Sequence, residues 1–230
     1  MKLRQAALVT LVGMSLSFAL RTIGTLFPAM PVSLYFACFS VLIHFLAAFL
    51  LLRFFIIIYG LFSGLGDKRL KRSALLAVIG SSAALLLHIK AIMIVYHIAA
   101  VPLYLQYRLL DALVPFFASA AVWVFFVIFS RAVPPGKGSR LKTGTRSAVS
   151  GYFIFTLLHG AGFFNYLLFD NFKWIFQWGL WVLVLTAIGF SMILYFFFVC
   201  YQNTEDLIEV FSGDRSAARP ASGTRQKPSV

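Results

Sequence analysis

Acidic residues are scarce in this chain. Only seven Asp and Glu occur among 230 residues, and Asp67, Asp111, Asp170, Glu205, Asp206, Glu209 and Asp214 all read as lying at helix ends, in loops or in the tail. None falls in the middle of an apolar run. Proton-coupled carriers place acids inside the membrane, and general acid–base catalysis commonly draws on carboxylates. The pattern therefore argues against a proton-coupled carrier, a phosphoryl-transfer enzyme and an intramembrane aspartyl protease. Cysteine is equally sparse. Cys38 and Cys200 fall in opposite leaflets of the topology derived below, which rules out a bridge between them. No CxxC or Cys/His spacing points to a structural zinc. Ser81, Ser82, Ser119, Ser150 and Ser191 lie in apolar runs, but none has the G-x-S-x-G setting of a hydrolase nucleophile. No catalytic residue is assigned.

Charge of either sign is also rare, at 12% against about 25% in ordinary soluble domains. What fills the space is apolar: 61% of residues are hydrophobic and the mean hydropathy is +0.90. A soluble fold of this size would be left with large exposed apolar patches, whereas lipid removes the problem. A spanning helix needs about 20 apolar residues, and six windows qualify, at about 5–27, 32–62, 73–105, 112–132, 148–169 and 174–201. These continuous runs lack the alternation of barrel strands. The expected fold is an all-α polytopic bundle of about six transmembrane helices over residues 1–212, followed by a disordered basic cytoplasmic tail at 213–230.

Breaks between runs have local causes. Pro28 and Pro31 bracket the first turn, Gly64 and Gly66 precede Asp67, Pro134-Pro135-Gly136 opens a basic loop reaching Arg146, and Asp170-Asn171 precedes the last run. The formal net charge of +13 is dispersed between runs, so it reads as a topology signal and a contact to anionic lipid head groups, not as a nucleic-acid surface. Lys2, Arg4, the Lys68–Arg72 cluster, the Arg131–Arg146 cluster and the tail arginines fall on one side; Arg21, Arg108 and Lys173 fall on the other. This places both termini in the cytoplasm of a cell-membrane protein. Cleavage of residues 1–19 as a signal peptide is the alternative for the first run, and would leave five spans in the same orientation.

Ligand chemistry inside the runs is limited to a few residues. Arg53 and Lys90 have no acidic neighbour in their runs, so snorkelling to the interface is the structural expectation and holding an anionic group in a cavity the functional one. His88 and His97 are nine residues apart, about 13 Å along one helix and on opposite faces. His44 and His159 each lie about 17–18 Å into their runs, so they are expected to approach one another at mid-membrane. The expectation is no cofactor, with the histidines hydrogen-bonded within the bundle or lining a polar cavity; the alternative is a single haem b with His44 and His159 as its axial pair. Asn165, beyond Gly160 and Gly162, would add a wall to such a pocket. Gly13 with Ser17, and Ala77, Gly80, Ser81 and Ala84, form small-residue faces for helix packing or for other membrane subunits or a second copy of the chain. Trp174, Trp178 and Trp181 follow helical spacing on the last run, facing lipid or an apolar groove.

In size, six spans, cytoplasmic ends and small-residue helix faces the chain resembles the substrate-binding subunits of energy-coupling-factor transporters, a resemblance of architecture carried by no motif. The expected function is a non-enzymatic transport or solute-binding membrane module. A sensory or scaffold subunit and a haem- or quinone-linked subunit are the alternatives.

Overall fold

The computed structural model describes residues 2–27, 34–65, 67–96, 104–133, 139–169, 179–205 and 208. The tail, His97, Trp174, Trp178 and the proline-rich connections lie outside them. The described residues form six long helices: α1 (Lys2–Leu26), α2 (Leu34–Leu65), α3 (Lys68–Val95), α4 (Tyr104–Ala132), α5 (Ser139–Phe169) and α6 (Gly179–Gln202). No strand occurs among the described residues. All six helices are long and apolar enough to cross a membrane, and helices satisfy their own backbone, as lipid requires, with one donor missing at Pro115 inside α4.

The helix limits revise the hydropathy windows. The third window ran on to Leu105, but α3 stops at Val95, where the Tyr96 N–H closes the last turn on the Ile92 carbonyl. Tyr104 and Leu105, placed in that third window, and residues 106–111, read as loop, belong to α4. Asp111 is therefore inside a helix, not at its end. The Lys68–Arg72 cluster is likewise not a loop: it forms the first turns of α3, whose N-terminus is capped by the Asp67 carboxylate accepting from the Arg69 and Leu70 amides. Arg140, Lys142 and Arg146 similarly lie on α5. Hydropathy averages over such turns because it registers side-chain polarity and not backbone geometry.

Each helix packs on its neighbours in sequence, and α6 packs back on α1, so the helices close into a ring. Contacts pair antiparallel positions. The Thr10 hydroxyl donates to the Leu50 carbonyl between α1 and α2 (3.1 Å), and the Ser147 hydroxyl to the Met192 carbonyl between α5 and α6 (3.1 Å). Phe18 stacks on Phe190 at 4.9 Å, and the Arg4 guanidinium lies 4.9 Å from the Tyr201 ring centroid, so α1 and α6 meet along much of their length. Both termini of the ring and its two basic clusters share one end, called the basic end below; the other is the far end.

Small residues set the helix spacing. A Cβ on Gly80 would meet the Ala118 carbonyl of α4 at 2.9 Å, and one on Gly151 would meet the Gly189 carbonyl of α6 at 2.6 Å. Gly13 packs on Ala47 and Leu50 of α2. The core toward the basic end has a simple division of labour. Helices α2, α4 and α6 supply the phenylalanines (Phe54, Phe55, Phe62, Phe125, Phe126, Phe129, Phe196 and Phe197), each at most 1% exposed. Helices α1, α3 and α5 face them with small side chains, among them Ala6, Ala7, Ala74, Ala77 and Ala148. The rings meet edge to face: Phe126 on Phe196 at 4.7 Å, Phe54 on Phe197 at 4.9 Å, Phe55 on Phe125 at 5.4 Å. Each such pair is worth about 0.5–1.5 kcal/mol beyond its buried area. These rings and small side chains form one continuous buried cluster.

Candidate functional site: a chamber in the far half of the ring

The core does not extend through the far half. There the ring surrounds an open cavity of about 310 Å³ to which all six helices contribute. On α1 the lining residues are Met14, Ser17 and Arg21; on α3 they include Gly80, Ser81, Ala84 and His88; on α5 they are Tyr152, Phe155 and His159. The three- and four-residue spacing puts each set on one helix face. Leu51, Val122 and Ile193 form the base, just above the phenylalanine core.

Two imidazoles are fixed by their own helix. The His44 Nδ1–H donates to the Ser40 carbonyl at 2.6 Å and the His88 Nδ1–H to the Ala84 carbonyl at 2.8 Å. A carbonyl only accepts, so the proton of each neutral ring sits on Nδ1 and Nε2 is left as a bare acceptor. The two rings stack at 6.4 Å with a 23° tilt. His159 is held differently. Its Nδ1 lies 3.3 Å from Ser119 Oγ, across the α4–α5 contact. Ser119 gives its own proton to the Phe116 carbonyl (2.9 Å), so it accepts from His159 and is not activated as a nucleophile.

Two hydroxyls deeper in the chamber have no partner. Ser81 Oγ and the Tyr152 hydroxyl are both buried (3% and 6% exposed) and unbonded. Tyr152 stacks on Phe126 at 5.2 Å and so sits on the floor. Arg21 faces the chamber from α1, close enough to His44 and His159 to bear electrostatically on both, and pairs with no acid among the described residues.

The structure thus gathers His44, His88 and His159 around one space, along with Ser17, Gly80, Ser81 and Ala84, which the sequence pointed to as packing residues. The ring packed against His44 is that of His88. Arg53 is exposed on the outer face of α2, and Asn165 lies on α5 outside the lining. Lys90 requires a correction: read as having no acidic partner, it makes a two-oxygen ion pair with Asp111 of α4 at 2.7 and 2.8 Å and does not line the chamber. Asp111 lies 21 residues away in sequence, and the two meet only because α3 and α4 are antiparallel neighbours. Cys38 and Cys200 are free thiols. Among the described residues no three His, Cys, Asp or Glu side chains are arranged to hold a metal ion.

Sequence reasoning missed Arg21, Ser119 and Tyr152. Arg21 was counted only as a topology charge, yet its four-residue step from Ser17 already placed it on that face of α1. Ser119 and Tyr152 carry no local signal, since their place is set by helix pairing. At the basic end, Arg69, Arg72 and Arg131 border a second recess of about 450 Å³ with Asp67. Comparison with protein-family models, curated proteins and solved structures finds no match, so the architectural likeness to substrate-binding transporter subunits finds no counterpart there.

Proposed function

We propose that this protein is a non-enzymatic solute-binding module of the cell membrane, in which the ring holds a small molecule in the far-half chamber. The observation that carries the reading is the pair of buried, unpartnered hydroxyls, Ser81 Oγ and the Tyr152 hydroxyl, on the wall and floor of one open cavity. A buried unsatisfied polar group costs about 1–3 kcal/mol, a cost that a bound solute or water offsets. The filled aromatic half supports a binding site over a continuous pore. Ligand pockets run from about 300 to 1,000 Å³, so 310 Å³ favours a small solute over a haem b. The Lys and Arg distribution supports cytoplasmic termini, with the chamber toward the opposite face and the Arg69–Arg72–Arg131 recess among anionic lipid head groups.

The test is native mass spectrometry of the full chain extracted from membranes. The wild type is expected to carry a small molecule that leaves on unfolding, and Ala84→Leu, which fills the chamber, to lack it. A wild type without bound solute, or an Ala84→Leu variant with the same load, would contradict the reading.

A further inference from the structure

The chemistry of the chamber wall narrows the occupant, an inference that rests on the solute-binding reading above. Arg21 is the only cation, and no Asp or Glu appears, among the described residues that line the space. No described acid pairs with it. An arginine inside an apolar span is costly, by about 2.5–3.5 kcal/mol at the bilayer centre. Arg21 is near the end of α1, within reach of the interface. Its place one turn beyond Ser17 sets it, exposed, at the open mouth of the chamber, where its charge acts on His44 and His159. Below it most of the wall is apolar, with Met14, Leu51, Val122 and Ile193, and it also carries the Ser81 and Tyr152 hydroxyls.

A guanidinium without a counter-ion above an apolar pocket suits an acid with a hydrocarbon body. The planar fork of arginine matches a carboxylate. In their neutral forms, with the ring proton held on Nδ1 by a backbone carbonyl, His44 and His88 offer only Nε2 acceptors, which disfavours further negative charge and selects a single anionic group over a phosphate. We infer that the chamber binds a small amphipathic monocarboxylate, its carboxylate on Arg21 and its chain toward Val122 and Ile193. A free medium-chain acid and a membrane fatty acid share this chemistry.

The experiment uses the full chain in nanodiscs of neutral phosphatidylcholine, with labelled octanoate as probe and oleate, octanol and octylamine as competitors. Octanoate is expected to bind saturably, with octylamine failing to displace it and octanol displacing it only weakly. Strong displacement by octanoate alone identifies a free acid as the source, and stronger displacement by oleate a membrane fatty acid. Arg21→Gln is expected to weaken octanoate binding roughly tenfold to a hundredfold, Arg21→Lys to fall between, and Arg53→Gln on the outer face to bind as wild type. Should Arg21→Gln fail to fold, Arg21→Lys and the octylamine competition carry the test. The inference is overturned if octanoate does not bind saturably, if octanol and octylamine compete as well as octanoate, or if Arg21→Gln keeps wild-type affinity. The chamber reading fails separately: octanol binding that Ala84→Leu abolishes would keep the chamber without the acid, whereas Ala84→Leu binding every probe as wild type would remove both.

Discussion

At the scale of single residues, the ion pair between Lys90 and Asp111 shows how a sequence conceals a partner. The two oxygens of Asp111 hold one ammonium, and both side chains are partly exposed, at 26% and 45%. Pairs of this kind contribute modestly, about 0.2–1 kcal/mol in water. A double-mutant cycle with Lys90→Met and Asp111→Asn, read by thermal unfolding in detergent, is expected to give a favourable coupling of about that size; strictly additive effects would show that the contact contributes nothing. The histidines were legible as chamber candidates because imidazole is uncommon in apolar runs. Arg21 was less so, since a cation near a helix end carries a topology signal and a ligand signal in the same residue, and only the direction of the side chain separates them.

At the scale of helices, glycine has opposite effects depending on what it faces. Gly151 lies against the Gly189 carbonyl, a backbone atom that cannot yield, whereas Gly60 has nothing within 4 Å of where a Cβ would stand. Gly151→Ala is expected to destabilise the α5–α6 pair by about 1–3 kcal/mol through overpacking. Gly60→Ala is expected to stabilise α2 by about 0.5–1 kcal/mol through the lower backbone entropy of its unfolded state. Equal responses in unfolding would refute the contrast. The six helices themselves were readable, because the length of an apolar run is a property of sequence alone. Their ends were not. The first turns of α3 and α5 are strongly basic, so hydropathy assigned Lys68–Arg72 and Arg140–Arg146 to loops that the backbone does not make. The small faces at Gly13 and Gly80 were visible, but the Gly151–Gly189 contact needs the pairing of α5 with α6 to be known first.

At the scale of the whole molecule, the ring divides into a filled half and an open one. Phenylalanines from α2, α4 and α6 meet small residues from α1, α3 and α5, an alternation around the ring that no single helix displays. Removing one ring should show its weight: Phe126→Ala is expected to cost about 3–5 kcal/mol, read by unfolding, and an effect below about 1 kcal/mol would mean the core repacks freely. The orientation has its own test. Green fluorescent protein fused after Gln202 is expected to fluoresce and alkaline phosphatase fused after Tyr96 to be active, and the reverse pattern would invert the topology drawn from Lys and Arg. The most direct test of an open chamber above a packed core compares two neighbouring positions on α3. In a background of Cys38→Ser and Cys200→Ser, Ser81→Cys lines the chamber, while Ala77→Cys, one turn toward the basic end, replaces a fully buried residue. A small methanethiosulfonate is expected to label Ser81→Cys and to leave Ala77→Cys untouched; equal labelling of both, or of neither, would contradict a chamber that ends at the phenylalanine floor.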